Sequence, residues 1–151
     1  MIAVIQRVSQ GEVKVREKSR GKIGIGLVIL LGVAEDDESR DADWLAEKIV
    51  GLRIFEDENE KMNLSLQDVE GKALVISQFT LLADYRRGRR PGFTKAAKPE
   101  KAVPLYEYFM DQLWHKDIQV ESGEFGKEMQ VHIMNEGPVT MVLDSTVKYP
   151  R

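Results

Sequence analysis

Apolar positions along this chain switch between a two-residue and a helical period, and the switches mark its elements. Ala3–Val8 and Glu12–Val15 alternate as a short strand pair, with Gly11 near the turn. Lys22–Val33 is rich in β-branched residues and carries glycines that permit bending, which predicts one long central strand. Beyond Asp36 or Ser39, either of which can cap a helix, Ala42, Leu45, Ala46, Ile49 and Leu52 recur at helical spacing. Arg53–Phe55 is extended, and Glu56–Lys61 follows as a polar, hairpin-like stretch. Ala73–Phe79 predicts a buried strand. Pro99 suits a first helical turn, and Val103, Tyr106, Phe109, Met110 and Leu113 mark a second amphipathic helix that begins around Pro104. Ile118–Glu121, Glu128–Met134 and Val139–Asp144 read as strands; in the second, Met129, Val131 and Ile133 alternate with Gln130 and His132. Strands, helix, strands, helix and strands in that order predict an α+β fold with a largely antiparallel sheet, in a single domain spanning 1–151.

Composition narrows the class without deciding it. A chain of 151 residues, 42% hydrophobic and 31% charged, can build a real core and bury roughly 70% of its unfolded surface. The longest apolar run, Ile25–Ala34, is broken by Gly26 and Gly32 and falls short of a membrane span. Met1-Ile2-Ala3 has neither a basic n-region nor a small-residue cleavage site, which argues against a secretory signal. With no cysteine, disulfides, thiolate zinc sites and cysteine nucleophiles are excluded, and a cytoplasmic location is expected.

A net charge of −3 argues against indiscriminate nucleic-acid binding, but the charge is unevenly spread. Arg86, Arg87, Arg89, Arg90, Lys95, Lys98 and Lys101 lie together, while acids gather at Glu35–Glu38 and Glu56–Glu58. The basic run is either a solvated loop or a local phosphate-contacting patch. Conventional hydrolytic machinery is missing. His115 falls near a helix end, His132 alternates outward on a strand, and two isolated histidines make a zinc site improbable. The Gly21-x-x-Gly24-x-Gly26 run lacks the order and context of a dinucleotide fingerprint and is read as strand bending.

Two short segments carry the chemistry. The first, Ser77-Gln78-Phe79-Thr80-Leu81-Leu82-Ala83-Asp84, leaves a buried strand and runs into the arginines up to Pro91-Gly92-Phe93. Its hydroxyls could merely satisfy a strand end. Its main-chain N–H groups could also stabilise an oxyanion, each worth about 3 kcal/mol in a transition state. No base is at hand to activate Thr80, so a positioning role stands ahead of a covalent one. The second segment is Asn135-Glu136-Gly137-Pro138-Val139-Thr140. It reads as a hairpin turn, although glycine before proline makes a cis bond accessible at about 0.5–1 kcal/mol.

Together the two segments resemble the paired motifs of the D-aminoacyl-tRNA deacylases (D-tyrosyl-tRNA deacylases), close to SQFTL…D…G-x-RP-x-F and N-x-GPVT. The resemblance runs from Gln6-Arg7-Val8 through Gly51–Phe55 and Gly123-Glu124-Phe125-Gly126 to Leu143-Asp144-Ser145. It implies a curled, barrel-like sheet and a homodimer, without a metal or organic cofactor, acting on aminoacyl-tRNA rather than on DNA or a membrane. It further implies that Gly137-Pro138 of one subunit enters the other's pocket and excludes an L side chain, and that the 2′-hydroxyl of the terminal adenosine takes part in catalysis. Ser77, Gln78, Phe79 and Thr80 are the catalytic candidates. Arg7 corresponds to an arginine bracing the Gly-Pro element, unless it is a strand-surface charge. Phe125 corresponds to an aromatic stacked on the adenine, unless it is a core residue, and Arg86, Arg87, Arg89 and Arg90 are the tRNA contacts. Glu136 replaces a common Asp and Gly92 a common Ser, so no hydroxyl contact carries over at the latter. A noncatalytic RNA-binding module is the rival reading, and a structural dimerisation protein a more distant one.

Overall fold

The computed structural model describes all of residues 1–151. Its organising element is β1 (Ile2–Val15), fourteen residues that pair along both edges. On one edge, the second half of β1 pairs antiparallel with β2 (Lys18–Ile23), and the first half with β3 (Gly26–Gly32). Two sequence expectations change here. Gly11 lies inside β1, paired with Ile23 and against Val28, because the register continues through it. The predicted central strand Lys22–Val33 is bent at Gly24-Ile25 into the end of β2 and all of β3.

The helices follow the predicted apolar faces. α1 (Ser39–Gly51) buries Ala42, Leu45, Ala46 and Ile49. Its N-cap is Glu38 rather than Asp36 or Ser39, and the Asp41 carboxylate three residues on accepts from the Glu38 N–H at 2.9 Å. Asp37 is engaged elsewhere, accepting from the Met1 ammonium at 2.6 Å. α2 (Pro99–His115) keeps Pro104 in its second turn and buries Tyr106, Phe109 and Leu113 against α1 and the sheet. Neither helix is long and apolar enough to cross a membrane.

Between the helices, β4 (Phe55–Glu56) and β5 (Met62–Leu64) form a small antiparallel ribbon. β6 (Lys72–Ser77) then pairs parallel to β3, and β7 (Val120–Ser122) parallel to β6. The main sheet is therefore mixed, antiparallel around β1 and parallel from β3 to β7, where the sequence pattern pointed to a largely antiparallel sheet. β6 stops at Ser77, two residues short of the predicted end, and β7 begins two residues later than predicted.

The parallel region is covered on both faces. Leu27, Ile29, Leu31, Ala73 and Val75 pack toward the helices, while Val28, Leu74 and Ile76 face a second cluster with Val8, Val13 and Ile23. The sheet curls around that second cluster until β2 approaches β7, and a Cβ added at Gly21 would lie 3.1 Å from the Ser122 carbonyl. The result is a nearly closed, barrel-like sheet with two helices on its outer face.

β8 (Gln130–Asp144) lies along the other edge of β1. Glu128–Met134 and Val139–Asp144 are thus parts of one strand, and Gly137-Pro138 does not turn it back. Asn135 pairs with Val8 and Thr140 with Gln6, so five residues of β8 stand against a two-residue step of β1. The surplus is expelled as a bulge.

Candidate active site

Ser77–Thr80 sits where β6 ends. The Gln78 N–H donates to the Leu31 carbonyl at 2.8 Å, carrying the strand pairing one residue further. Phe79–Leu82 then winds into a single 3₁₀ turn, with Leu81 N–H donating to Gln78 O and Ala83 N–H to Thr80 O. The N–H groups of Phe79 and Thr80 open that turn and have no acceptor within it. Gln78 Nε2 donates to Thr80 Oγ1 at 2.5 Å. An amide donor there withdraws electron density from the hydroxyl and supplies no base. Phe79 is 56% exposed and meets Phe93 edge-on at 5.0 Å, fastening the turn to the base of the arginine loop.

Phe125 lies on the same flank. It is half-buried with its ring 5.9 Å from that of Tyr106, whose hydroxyl donates to Val75 O at 2.9 Å, two residues before Ser77. Burial pushes the Tyr106 hydroxyl up to about 12, against a hydrogen bond to Ser122 that lowers it, so the group stays neutral and acts as a strut.

The bulge is held by a different set of contacts. Arg7, 6% exposed, donates from Nε to Glu136 O at 3.1 Å and from Nη1 to Ile54 O at 2.8 Å. Its Nη2 lies 3.6 Å from Glu56. From the neck of the bulge, Asn135 Nδ2 donates to Arg7 O at 2.9 Å and to Val139 O at 3.0 Å, and Thr140 Oγ1 donates to Asn135 Oδ1 at 3.3 Å. Gly137 and Pro138 stand exposed at the tip, joined by a cis peptide. Gly137 has φ of +126°, and a Cβ there would lie 2.9 Å from both Arg7 Nη2 and Val139 Cγ2. Glycine is the residue this conformation admits. A cavity of about 350 Å³ beside the bulge is lined by Arg7, Val8, Ile25, Phe55, Val69 and Glu136.

One chain brings Ser77–Thr80, Phe125 and the arginine loop together, but not the bulge. Ser77 stands opposite Leu31 on β3, whose β1 partner is Ala3, whereas the bulge stands opposite Arg7. Four residues along the strands and three strand spacings across the sheet separate them by roughly 20 Å. His115 is at the end of α2, its Nδ1 2.7 Å from Asp111 O, and His132 is exposed on β8 beside Glu12. A larger groove of about 680 Å³ on the outer face of α1 contains none of the candidate residues.

Sequence reasoning assigned no role to Asn135, although it quoted the residue within its motif. Ile54, inside the quoted Gly51–Phe55 stretch, and Glu56, the distant partners of Arg7, were likewise given no role.

The fold defines the class first. A solved structure described as a c-Myc DNA Unwinding Element Binding Protein superposes with a TM-score of 0.89 at 38% identity, over 95% of this chain and 98% of that one. A structure of a probable eukaryotic D-amino acid tRNA deacylase superposes with a TM-score of 0.80 at 19% identity, over 94% and 97%, sharing the fold. The family model described as D-Tyr-tRNA(Tyr) deacylase matches residues 4–144. The D-aminoacyl-tRNA deacylase of Thermotoga petrophila is 54% identical over 146 residues, 97% of this chain and 98% of that protein. That of Clostridioides difficile is 53% identical over 149 residues, covering 99% and 100%. The chain belongs to the D-Tyr-tRNA(Tyr) deacylase family and is a hydrolase of that kind.

Proposed function

We propose that this protein hydrolyses the ester between a D-amino acid and tRNA, releasing both, and that it works as a homodimer of a single 1–151 domain. The observation that carries the reading is the separation of the two motif segments. Within one chain they stand roughly 20 Å apart, yet both are exposed. A twofold pair lets the bulge of each subunit enter the turn of the other. Exposed apolar side chains on β8 and nearby (Met134 at 60%, Val142 at 70%, Ile25 at 61%) support burial of that surface by a partner.

In this arrangement the main-chain carbonyls at Gly137-Pro138 accept from the substrate's α-ammonium. They occupy the space an L side chain needs, and a D side chain points to solvent. Main-chain reading of Cα suits an enzyme that takes many different D residues. It also leaves glycine, which has no side chain to exclude, as a substrate in the form of glycyl-tRNA. Arg7 fixes the bulge and Phe125 stacks on the terminal adenine.

The ester carbonyl lies against the N–H groups of Phe79 and Thr80, which stabilise the oxyanion as it forms. Water adds to the carbonyl carbon, and the bond to the ribose oxygen then breaks. The adjacent ribose hydroxyl assists the transfer of the water proton to the departing oxygen. Ser77, Gln78 and Thr80 position the ester, while Arg87, Arg89 and Arg90 attend the phosphates and Arg86, paired with Asp84, holds their loop.

A nucleic-acid-binding module without turnover is the second reading, favoured by the arginine loop and by the similar structure, at 38% identity, described as a DNA unwinding element binding protein. The braced bulge tells against it, because phosphate binding needs no such element. The test is deacylation of matched D-tyrosyl-, L-tyrosyl- and glycyl-tRNA with EDTA present. Loss of the D and glycyl esters with the L ester spared supports the deacylase. Salt-sensitive tRNA binding with all three esters intact overturns it.

A further inference from the structure

The loop between the turn and α2 is built more firmly than a solvated basic loop requires. Asp84 and Gly92 exchange both main-chain hydrogen bonds, at 2.7 and 2.8 Å, closing residues 85–91 into a compact projection that turns at Gly88, φ +68°. Inside it, Asp84 takes a two-pronged contact from Arg86, Nε to Oδ1 and Nη2 to Oδ2, each 2.8 Å. The Arg86 N–H also donates to Asp84 Oδ1 at 3.2 Å. Arg86 is thereby neutralised, and its hydrogen bonds hold the Asp84 carboxyl well below the usual carboxylate range. Arg87, Arg89 and Arg90 are exposed and pair with no carboxylate. Among them Tyr85 is 79% exposed, the most exposed large apolar side chain of the molecule. At the foot of the loop, Phe93 meets Phe79 edge-on, next to Thr80 in the chain.

We propose that Tyr85 is a stacking platform for the unpaired nucleotides preceding the tRNA's terminal adenosine. Arg87, Arg89 and Arg90 grip their phosphates, and the Asp84–Arg86 pair serves as the brace that presents the platform. This rests on the deacylase reading. Three free guanidiniums beside an aromatic face match a single strand, which offers a phosphate and a π-face at each step. Stacking tolerates any base, so the platform suits the 3′ end that all tRNAs share. Arg86 differs from its neighbours, because its charge is already spent inside the loop.

The test compares D-tyrosyl-tRNA with D-tyrosyl-adenosine, which lacks the preceding nucleotides, and adds the binding of uncharged tRNA. Y85A is expected to raise KM for the tRNA by about five-fold or more, with a several-fold smaller effect on the minimal ester and with rescue by Y85F. R89A is expected to lower the salt slope of tRNA binding by about 0.7, whereas R86A weakens binding without changing that slope. Equal effects of Y85A on both esters, failure of Y85F to rescue, or a change in oligomeric state instead of tRNA affinity would overturn the platform. If the wild type cleaves neither ester, the deacylase reading fails. Binding of uncharged tRNA by wild type and Y85A still decides the platform.

Discussion

The two exposed segments of this protein are held in opposite ways. The bulge of β8 is fixed from every side: Arg7 grips Glu136 O, Asn135 ties its neck, and Gly137 has no room for a side chain. The Ser77–Thr80 turn rests on a few main-chain bonds and an aromatic edge, with Phe79 and Thr80 open to solvent. A rigid segment suits the discrimination of one configuration at Cα, where a small displacement admits the wrong one. A more open segment suits presenting N–H groups to an ester that arrives with its own reactivity. In the proposed reading, the bulge decides which ester is held in place and the turn's main chain stabilises the charge that forms on it.

That division predicts unequal responses to substitution. Gly137→Ala should have the largest effect, because the added Cβ meets Arg7 and Val139 at 2.9 Å in a positive-φ conformation. Displacing the bulge by an ångström should cost about 10²-fold in turnover with tRNA binding retained, as read by single-turnover kinetics and a binding assay. Arg7→Ala comes next. It leaves the Ile54 and Glu136 carbonyls without their donor, which should destabilise the fold by about 2–3 kcal/mol and raise the relative rate on L-tyrosyl-tRNA. Urea melts and the D-to-L rate ratio measure the two effects separately.

A third prediction concerns neither segment and serves as their control. Burial raises the Asp41 carboxyl, but hydrogen bonds from Arg151, Ser145 and the Glu38 N–H outweigh it and hold the group at about 2. A carboxylate depressed in the folded state contributes stability that is fully present above its unfolded value and lost as pH falls toward 2. The contribution is on the order of 2 kcal/mol. Asp41→Asn should flatten that acid limb in stability measurements between pH 5 and 2 (a window about the unfolded value) without changing the D-to-L ratio. Thr80→Ala should have the smallest effect, within about ten-fold in kcat, since Gln78 donates to its hydroxyl and no base adjoins it. A loss of several thousand-fold would make Thr80 the nucleophile and erase the contrast.

The same contrast explains what could be read from the chain. Both helices were legible from Leu45, Ile49, Phe109 and Leu113, because each must bury one stripe. The turn was legible because its polar residues interrupt an apolar run. The pairing direction of β6 was not, since periodicity carries no direction; the unbroken runs Leu27–Leu31 and Ala73–Ile76 were the available hint of a strand covered on both faces. β8 was misread at Gly137-Pro138, where local turn chemistry outweighed the pairing that β1 supplies on either side. The brace was legible only in part: the family resemblance pointed to Arg7, but its partners Ile54 and Asn135 come from distant stretches and were assigned no role.

The most direct test is complementation between subunits. A Gly137→Ala chain and a Phe79→Pro chain would be co-expressed and assayed on D-tyrosyl-tRNA. The second loses an oxyanion N–H at a first-turn position that admits proline, and each is expected to be about 10²-fold impaired alone. If bulge and turn meet across the dimer, mixed dimers carry one intact site, and activity should return to about a quarter of the wild-type level. No recovery in a preparation shown to contain mixed dimers would place both segments in separate functions and contradict the shared site.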